Sequence, residues 1–130
     1  MSLLTGKQIL DANDQTITKV EVPEWGEEAF VFVKTISAGE RDALDNSLFD
    51  FIPETGQLSR NANDYRAKWC QVCICDESGN SLFTPEDIPA LSAKSSKAIA
   101  RCFRKAQELN GVTDDEVKRL EKNSESVQDS

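Results

Sequence analysis

The sequence predicts an α+β fold in which a small antiparallel hairpin or sheet packs against several helices, the longest of them near the C-terminus. Three observations carry this. One stretch is dense in β-branched and aromatic residues, Ala29-Phe30-Val31-Phe32-Val33-Lys34-Thr35-Ile36; a second, Thr16 to Val22, precedes it across Pro23-Glu24-Trp25-Gly26; and the remaining apolar residues recur at helical spacing. With 130 residues the chain falls in the usual size of one domain and can bury a core without disulfide or metal staples. The aromatic residues lie between Trp25 and Phe103, which places the ordered core there. The expected organisation is one domain over residues 1–122, with 1–14 as an N-terminal arm, and a disordered tail over 123–130.

Thr5-Gly6-Lys7-Gln8 has the form of a capping box, with Leu4 and Ile9 in the flanking staple positions, so a short helix is expected to about Asn13. So short a helix is marginal alone and must dock, either on its own domain or as a mobile arm on a neighbouring subunit. The two strand-like runs then form the hairpin, and a lone hairpin needs helices over one face. Ser37-Ala38-Gly39-Glu40 is a second capping box; Leu44, Leu48 and Phe51 follow it, which predicts an amphipathic helix of about three turns ended by Pro53 and Gly56. Residues 52–63 read as a mobile loop. Tyr65, Trp69, Val72 and Cys73 return to helical spacing, followed by a short extended ribbon in which Ser81-Leu82-Phe83 pairs back across the turn at Asp76–Asn80. Thr84-Pro85-Glu86-Asp87 caps a helix that Pro89 cuts or kinks. The longest helix is expected from Ser92 to about Asn110, with Ile99, Cys102, Phe103, Ala106 and Leu109 on one stripe. Asn110-Gly111 closes it, and Thr113-Asp114-Asp115-Glu116 opens a last short helix through Val117 and Leu120.

Charge narrows the partners. The formal net charge is −8 and the pI about 4.6, which disfavours nucleic acid and anionic membranes, and no stretch approaches the roughly 20 apolar residues that cross a bilayer. Residues 92–110 run against this, with Lys94, Lys97, Arg101, Arg104 and Lys105 facing only Glu108, whereas eleven acids between Asp11 and Glu54 face Lys19, Lys34 and Arg41. Two readings of the asymmetry stand at this stage: an internal match between a basic helix and an acidic lobe, or a dipole that orients a partner.

Catalytic chemistry finds little support. There is no histidine, no glycine-rich phosphate loop and no dinucleotide fingerprint, and the carboxylates fall in caps and turns. Cys70-x-x-Cys73-x-Cys75 with Cys102 supplies one CxxC knuckle where structural zinc sites usually use two, so these four read as small buried hydrophobes. The expectation is a protein-binding protein with no catalytic residues, no metal and no cofactor. Its candidate binding residues are Trp25 in the hairpin turn and the basic rim Lys94, Lys97, Arg101 and Arg104, with the 52–63 loop beside them.

An ordered series of motifs adds to this: Val-Glu-Val-Pro-Glu-Trp-Gly at 20–26, Ser-Ala-Gly-Glu-Arg-Asp at 37–42, the block from Cys75 to Leu91 and the Ser92–Gly111 segment ending Ala-Gln-Glu-Leu-Asn-Gly. Over about residues 15–112 the series resembles the short tail assembly chaperones of siphophages and related prophages, the smaller product of the gene preceding the tape measure gene in lambda-like phages. The resemblance implies a non-enzymatic factor that coats and solubilises the tape measure protein in the host cytoplasm, brings it to tail tube subunits, and is absent from the finished virion. It also implies, in many such phages, a frameshifted longer form that contacts the tube protein. Self-association is a further expectation. The competing reading is a structural head–tail joining component or other protein-binding module of a phage particle.

Overall fold

The computed structural model describes residues 1–111. The expected helix at 113–120 and tail at 123–130 lie outside the described residues. The element order is α1 (Gly6–Asp11), β1 (Ile17–Glu21), β2 (Phe30–Lys34), α2 (Ala38–Asn46), β3 (Phe49–Ile52), β4 (Gln57–Arg60), α3 (Tyr65–Cys73), β5 (Ile74–Cys75), α4 (Ile88–Ser92) and α5 (Ser96–Leu109), with 3-10 turns at Pro23–Trp25 and Pro85–Asp87. This is the α+β arrangement the sequence predicts, with its longest helix in α5.

β1, β2 and β5 form an antiparallel sheet with β2 in the middle. Alternation sorts its side chains. Val20 pairs with Val31 and Val33 with Ile74, so these residues line the face that α5 covers, whereas Phe30 and Phe32 stack edge to face on the other side with the Lys19 ammonium 4.4 Å above the Phe30 ring. α3 packs against α2, α4 and α5, and its Ala67, Trp69, Cys70 and Cys73 are buried. All four cysteines are free thiols in this core. Burial pushes the Cys73 thiol up to about 12 and that of Cys102 to about 11, so both are protonated and chemically quiet at neutral pH.

Lys34 lies in the same strand yet is only 6 % exposed. Its ammonium donates to the Gly79 carbonyl at 2.9 Å and meets the Glu40 carboxylate at 3.5 Å, so the charge is both paired and hydrogen-bonded. Gly79 has φ +90°, a left-handed backbone that favours glycine; a Cβ there would also stand 2.7 Å from the Gln15 side-chain oxygen, but that is the far end of an exposed, flexible side chain that can move aside. The far end of the sheet is closed by Asn110. Its side chain accepts from the Ile36 amide at 2.9 Å and donates to the Ala106 carbonyl at 2.8 Å and the Lys34 carbonyl at 3.4 Å, tying the end of α5 to the end of β2.

Four sequence expectations are corrected. The helix opened by the Ser37–Glu40 capping box stops at Asn46 instead of reaching Phe51, and 52–63 is not a loop throughout, because Phe49–Ile52 pairs with Gln57–Arg60 as a hairpin. The spacing of Leu44, Leu48 and Phe51 suits a helix, but Phe-Asp-Phe-Ile also alternates and favours a strand, and Ser47 competes for the helix by donating its hydroxyl to the Leu44 carbonyl. Gly56, at φ +70°, then makes the turn and donates to the Ile52 carbonyl at 2.8 Å. Pro89 neither cuts nor kinks a helix, since it occupies the first turn of α4, where no amide is needed. α5 starts at Ser96 rather than Ser92, with Ser95 as its cap and Ser92 ending α4. The first capping box forms as expected over Thr5–Gln8, but no α1 residue is buried, leaving Leu3, Leu4, Ile9 and Leu10 exposed.

Candidate protein-binding site

The hairpin turn is fixed by its own backbone. The Trp25 amide donates to the Val22 carbonyl at 3.0 Å and that of Gly26 to the Pro23 carbonyl at 3.2 Å, so Pro23–Trp25 forms one tight turn that delivers the indole to the flank of the core. Trp25 is half-buried there. Its Nε1 is buried without an acceptor among the described residues.

Opposite it stand Phe83, ahead of the Thr84 cap, and Ala90 and Leu91 of α4. Together with Asp87 and Lys94 they enclose an open groove of about 330 Å³ whose walls are mainly apolar. The groove exists because three local signals meet in space: a proline-started hairpin turn, a capped 3-10 turn and a proline-started helix. Such a groove, apolar with a charge at each side, can seat an apolar side chain from a partner and orient it.

The sequence-predicted residues divide here. Trp25 and Lys94 come together in the groove wall. Arg101 is engaged within the chain: its guanidinium forks the Glu24 carboxylate at 2.7 and 2.8 Å and donates to the Glu21 carbonyl at 3.2 Å. Lys97 is exposed, close enough to add to the field on Glu24; Arg104 is exposed one turn beyond Arg101. Lys105 pairs with Glu108 at 3.0 Å. Of the two readings of the charge asymmetry, Arg101–Glu24 realises the internal match, whereas Lys94, Lys97 and Arg104 have no ion-pair partner among the described residues. Phe83, Ala90 and Leu91 were missing from the predicted site. Phe83 and Leu91 carry only the signals of helix boundaries in sequence, and nothing in the chain marks Ala90.

The Arg101–Glu24 fork makes a testable claim. Its hydrogen bonds hold the Glu24 carboxyl down from its ordinary 4.5 to about 2. A depressed carboxyl stabilises the fold above its ordinary value, and that contribution is lost as pH falls through the folded value, here between about 4.5 and 2. Because the pair is solvent-exposed, the benefit is small and salt-sensitive. A carboxyl-carbon NMR titration should show Glu24 changing near pH 2, and its midpoint rising toward the ordinary value in Arg101→Gln, with a backbone hydrogen bond and the Lys97 charge still holding it down in part. A Glu24 midpoint unchanged by that substitution would remove Arg101 as the cause.

Among the described residues no helix is long and apolar enough to cross a membrane, and no group of three His, Cys, Asp or Glu side chains is placed to hold a metal ion. Comparison with known proteins adds the family. No curated protein sequence matches the chain. Among solved structures, the tail assembly chaperone of bacteriophage HK97 shares the fold with a TM-score of 0.54 at 16% identity, over 83% of this chain and 95% of that one. A family model described as phage tail assembly chaperone matches residues 6–123, nearly the whole sequence, and the chain therefore belongs to the phage tail assembly chaperone family.

Proposed function

We propose that this tail assembly chaperone binds and solubilises the tape measure protein and helps recruit tail tube subunits, without catalysis, in the host cytoplasm and without remaining in the virion. The observation that carries the reading is the apolar groove between Trp25 and α4, edged by Lys94, on a chain whose overall charge is −8. A tape measure protein is a long chain with repeated apolar stripes. A chaperone that covers such stripes needs a small apolar seat and a charged exterior, so that the coated complex repels its copies and stays dissolved. Trp25 supplies the aromatic anchor, and Lys94, Lys97 and Arg104 the cationic edge; Arg101 serves by holding the Trp25 turn against α5 through Glu24. Many weak seats along one client release it readily when tube subunits displace them.

Co-expression of the chain with the phage's tape measure protein, followed by size-exclusion chromatography with mass determination, tests the reading. The expected result is a soluble complex with several copies of this chain per tape measure chain. Tape measure protein left insoluble beside free chaperone would overturn it. A closed ring of fixed size that persists without client would favour the head–tail joining role instead.

A further inference from the structure

A second cavity, of about 450 Å³, lies between the start of α3 and the start of α5. Three cations line it: Arg60 from the end of β4, Arg66 from the first turn of α3, and Lys94 from the α4–α5 connection. The facing carboxylate is Asp64, which already accepts the Ser92 hydroxyl at 2.6 Å. In a chain of net charge −8 this is a local reversal of field, and none of the three cations forms an ion pair among the described residues. Arg66 lies above the Phe103 ring, 5.9 Å from its centroid, which leaves its N–H edge open to an acceptor. Arg60 Nε is buried and has no acceptor among the described residues, a condition in which few native N–H groups are found.

The geometry points to a carboxylate-accepting pocket that takes an acidic side chain of the same client segment whose apolar side chain sits in the Trp25 groove. Lys94 lines both the cavity and the groove, so the two are adjacent seats that share this residue. A carboxylate suits the pocket better than a phosphate for two reasons. Asp64 repels a dianion more strongly than a monoanion, and Tyr65, Ala67 and Ile99 in the wall accept the aliphatic stem of a glutamate. Recognition then reads a pair of features, one apolar and one acidic, where the groove alone would take any apolar side chain. This inference rests on the reading of the Trp25 groove as a client seat.

The test titrates the 15N-labelled full chain with a blocked helical peptide carrying Leu and Glu on one face, with its counterpart in which Gln replaces Glu, and with sodium phosphate. The expected result is that the Glu peptide moves the amides of Tyr65, Arg66 and Ser96 and the Nε–H of Arg60, and binds about tenfold tighter than the Gln peptide, as a charge-assisted pair should. The ratio should fall toward one in Arg60→Gln and in Lys94→Gln, the latter an exposed position where folding is unaffected. Equal affinity for the two peptides overturns the pocket; so does the absence of these shifts at millimolar peptide; and so does saturation by phosphate where the Glu peptide fails. A complex with the tape measure protein alongside equal peptide affinities removes this inference alone. A preserved Glu-over-Gln ratio with tape measure protein left insoluble on co-expression removes the client reading and leaves the pocket.

Discussion

Replacing Trp69 by alanine is expected to cost about 3–5 kcal/mol of folding stability and to lower the thermal midpoint on the order of 10–20 °C. Trp69 is 1 % exposed, at the centre of α3, the helix that contacts α2, α4 and α5. The Arg41 guanidinium stacks above its ring with 5.0 Å to the centroid, so the indole also joins α2 to the core. A cavity of indole size in a domain held by about 5–15 kcal/mol leaves little in reserve, and helices on three sides lose the surface against which they pack. Urea unfolding followed by far-UV circular dichroism measures this; Trp69→Phe, which keeps most of the volume, should lose clearly less. A Trp69→Ala protein within about 1 kcal/mol of the parent would mean that the core closes over the gap and that α3 is not its centre.

The second large effect concerns the client. Ala90→Glu places a carboxylate in the apolar groove at an exposed position of α4, so the core loses nothing and the free variant should unfold within about 0.5 kcal/mol of the parent. A partner side chain would then have to desolvate that charge, which should weaken each seat by about 2–4 kcal/mol, roughly 30- to 1000-fold. Under the proposed function coating uses many seats in series, so the loss would compound along the client. On co-expression, the complex should disappear and the tape measure protein should precipitate while the variant stays soluble. Full retention of the complex would move the client surface away from the Trp25 groove.

What was legible in the sequence was local. The capping boxes at Thr5 and Ser37, the Thr84 cap, which opens a 3-10 turn ahead of α4, the β-branched hairpin and the α5 stripe each arise from residues within a few positions of one another, and all form. The β3–β4 hairpin was misread because Leu44, Leu48 and Phe51 satisfy helical spacing while Phe49 to Ile52 also satisfies alternation; partner strand and turn decided it. Trp25 and Lys94 were legible as candidates, yet their shared groove was not, since Leu91 joins it through the placement of α4 on α3 and Phe83, whose carbonyl accepts from Gln71 of α3, through the segment before α4. Arg101 shows the same limit from the other side. Its partner Glu24 lies 77 residues away in the chain, so the sequence left open whether this cation is paired within the chain, and the fold decides it.

The Asn110 side chain has a mechanical consequence. Its amide holds α5 to the Ile36 amide and the Lys34 carbonyl, immediately before the chain continues past Gly111. Tension applied from that direction meets this clamp before it can peel α5 from its end. The load passes sideways into β2, the middle strand, whose hydrogen bonds to β1 and β5 resist it together. A tug at this end is thus borne by the most supported strand of the sheet, and the groove at the opposite end of α5 need not change shape when it comes.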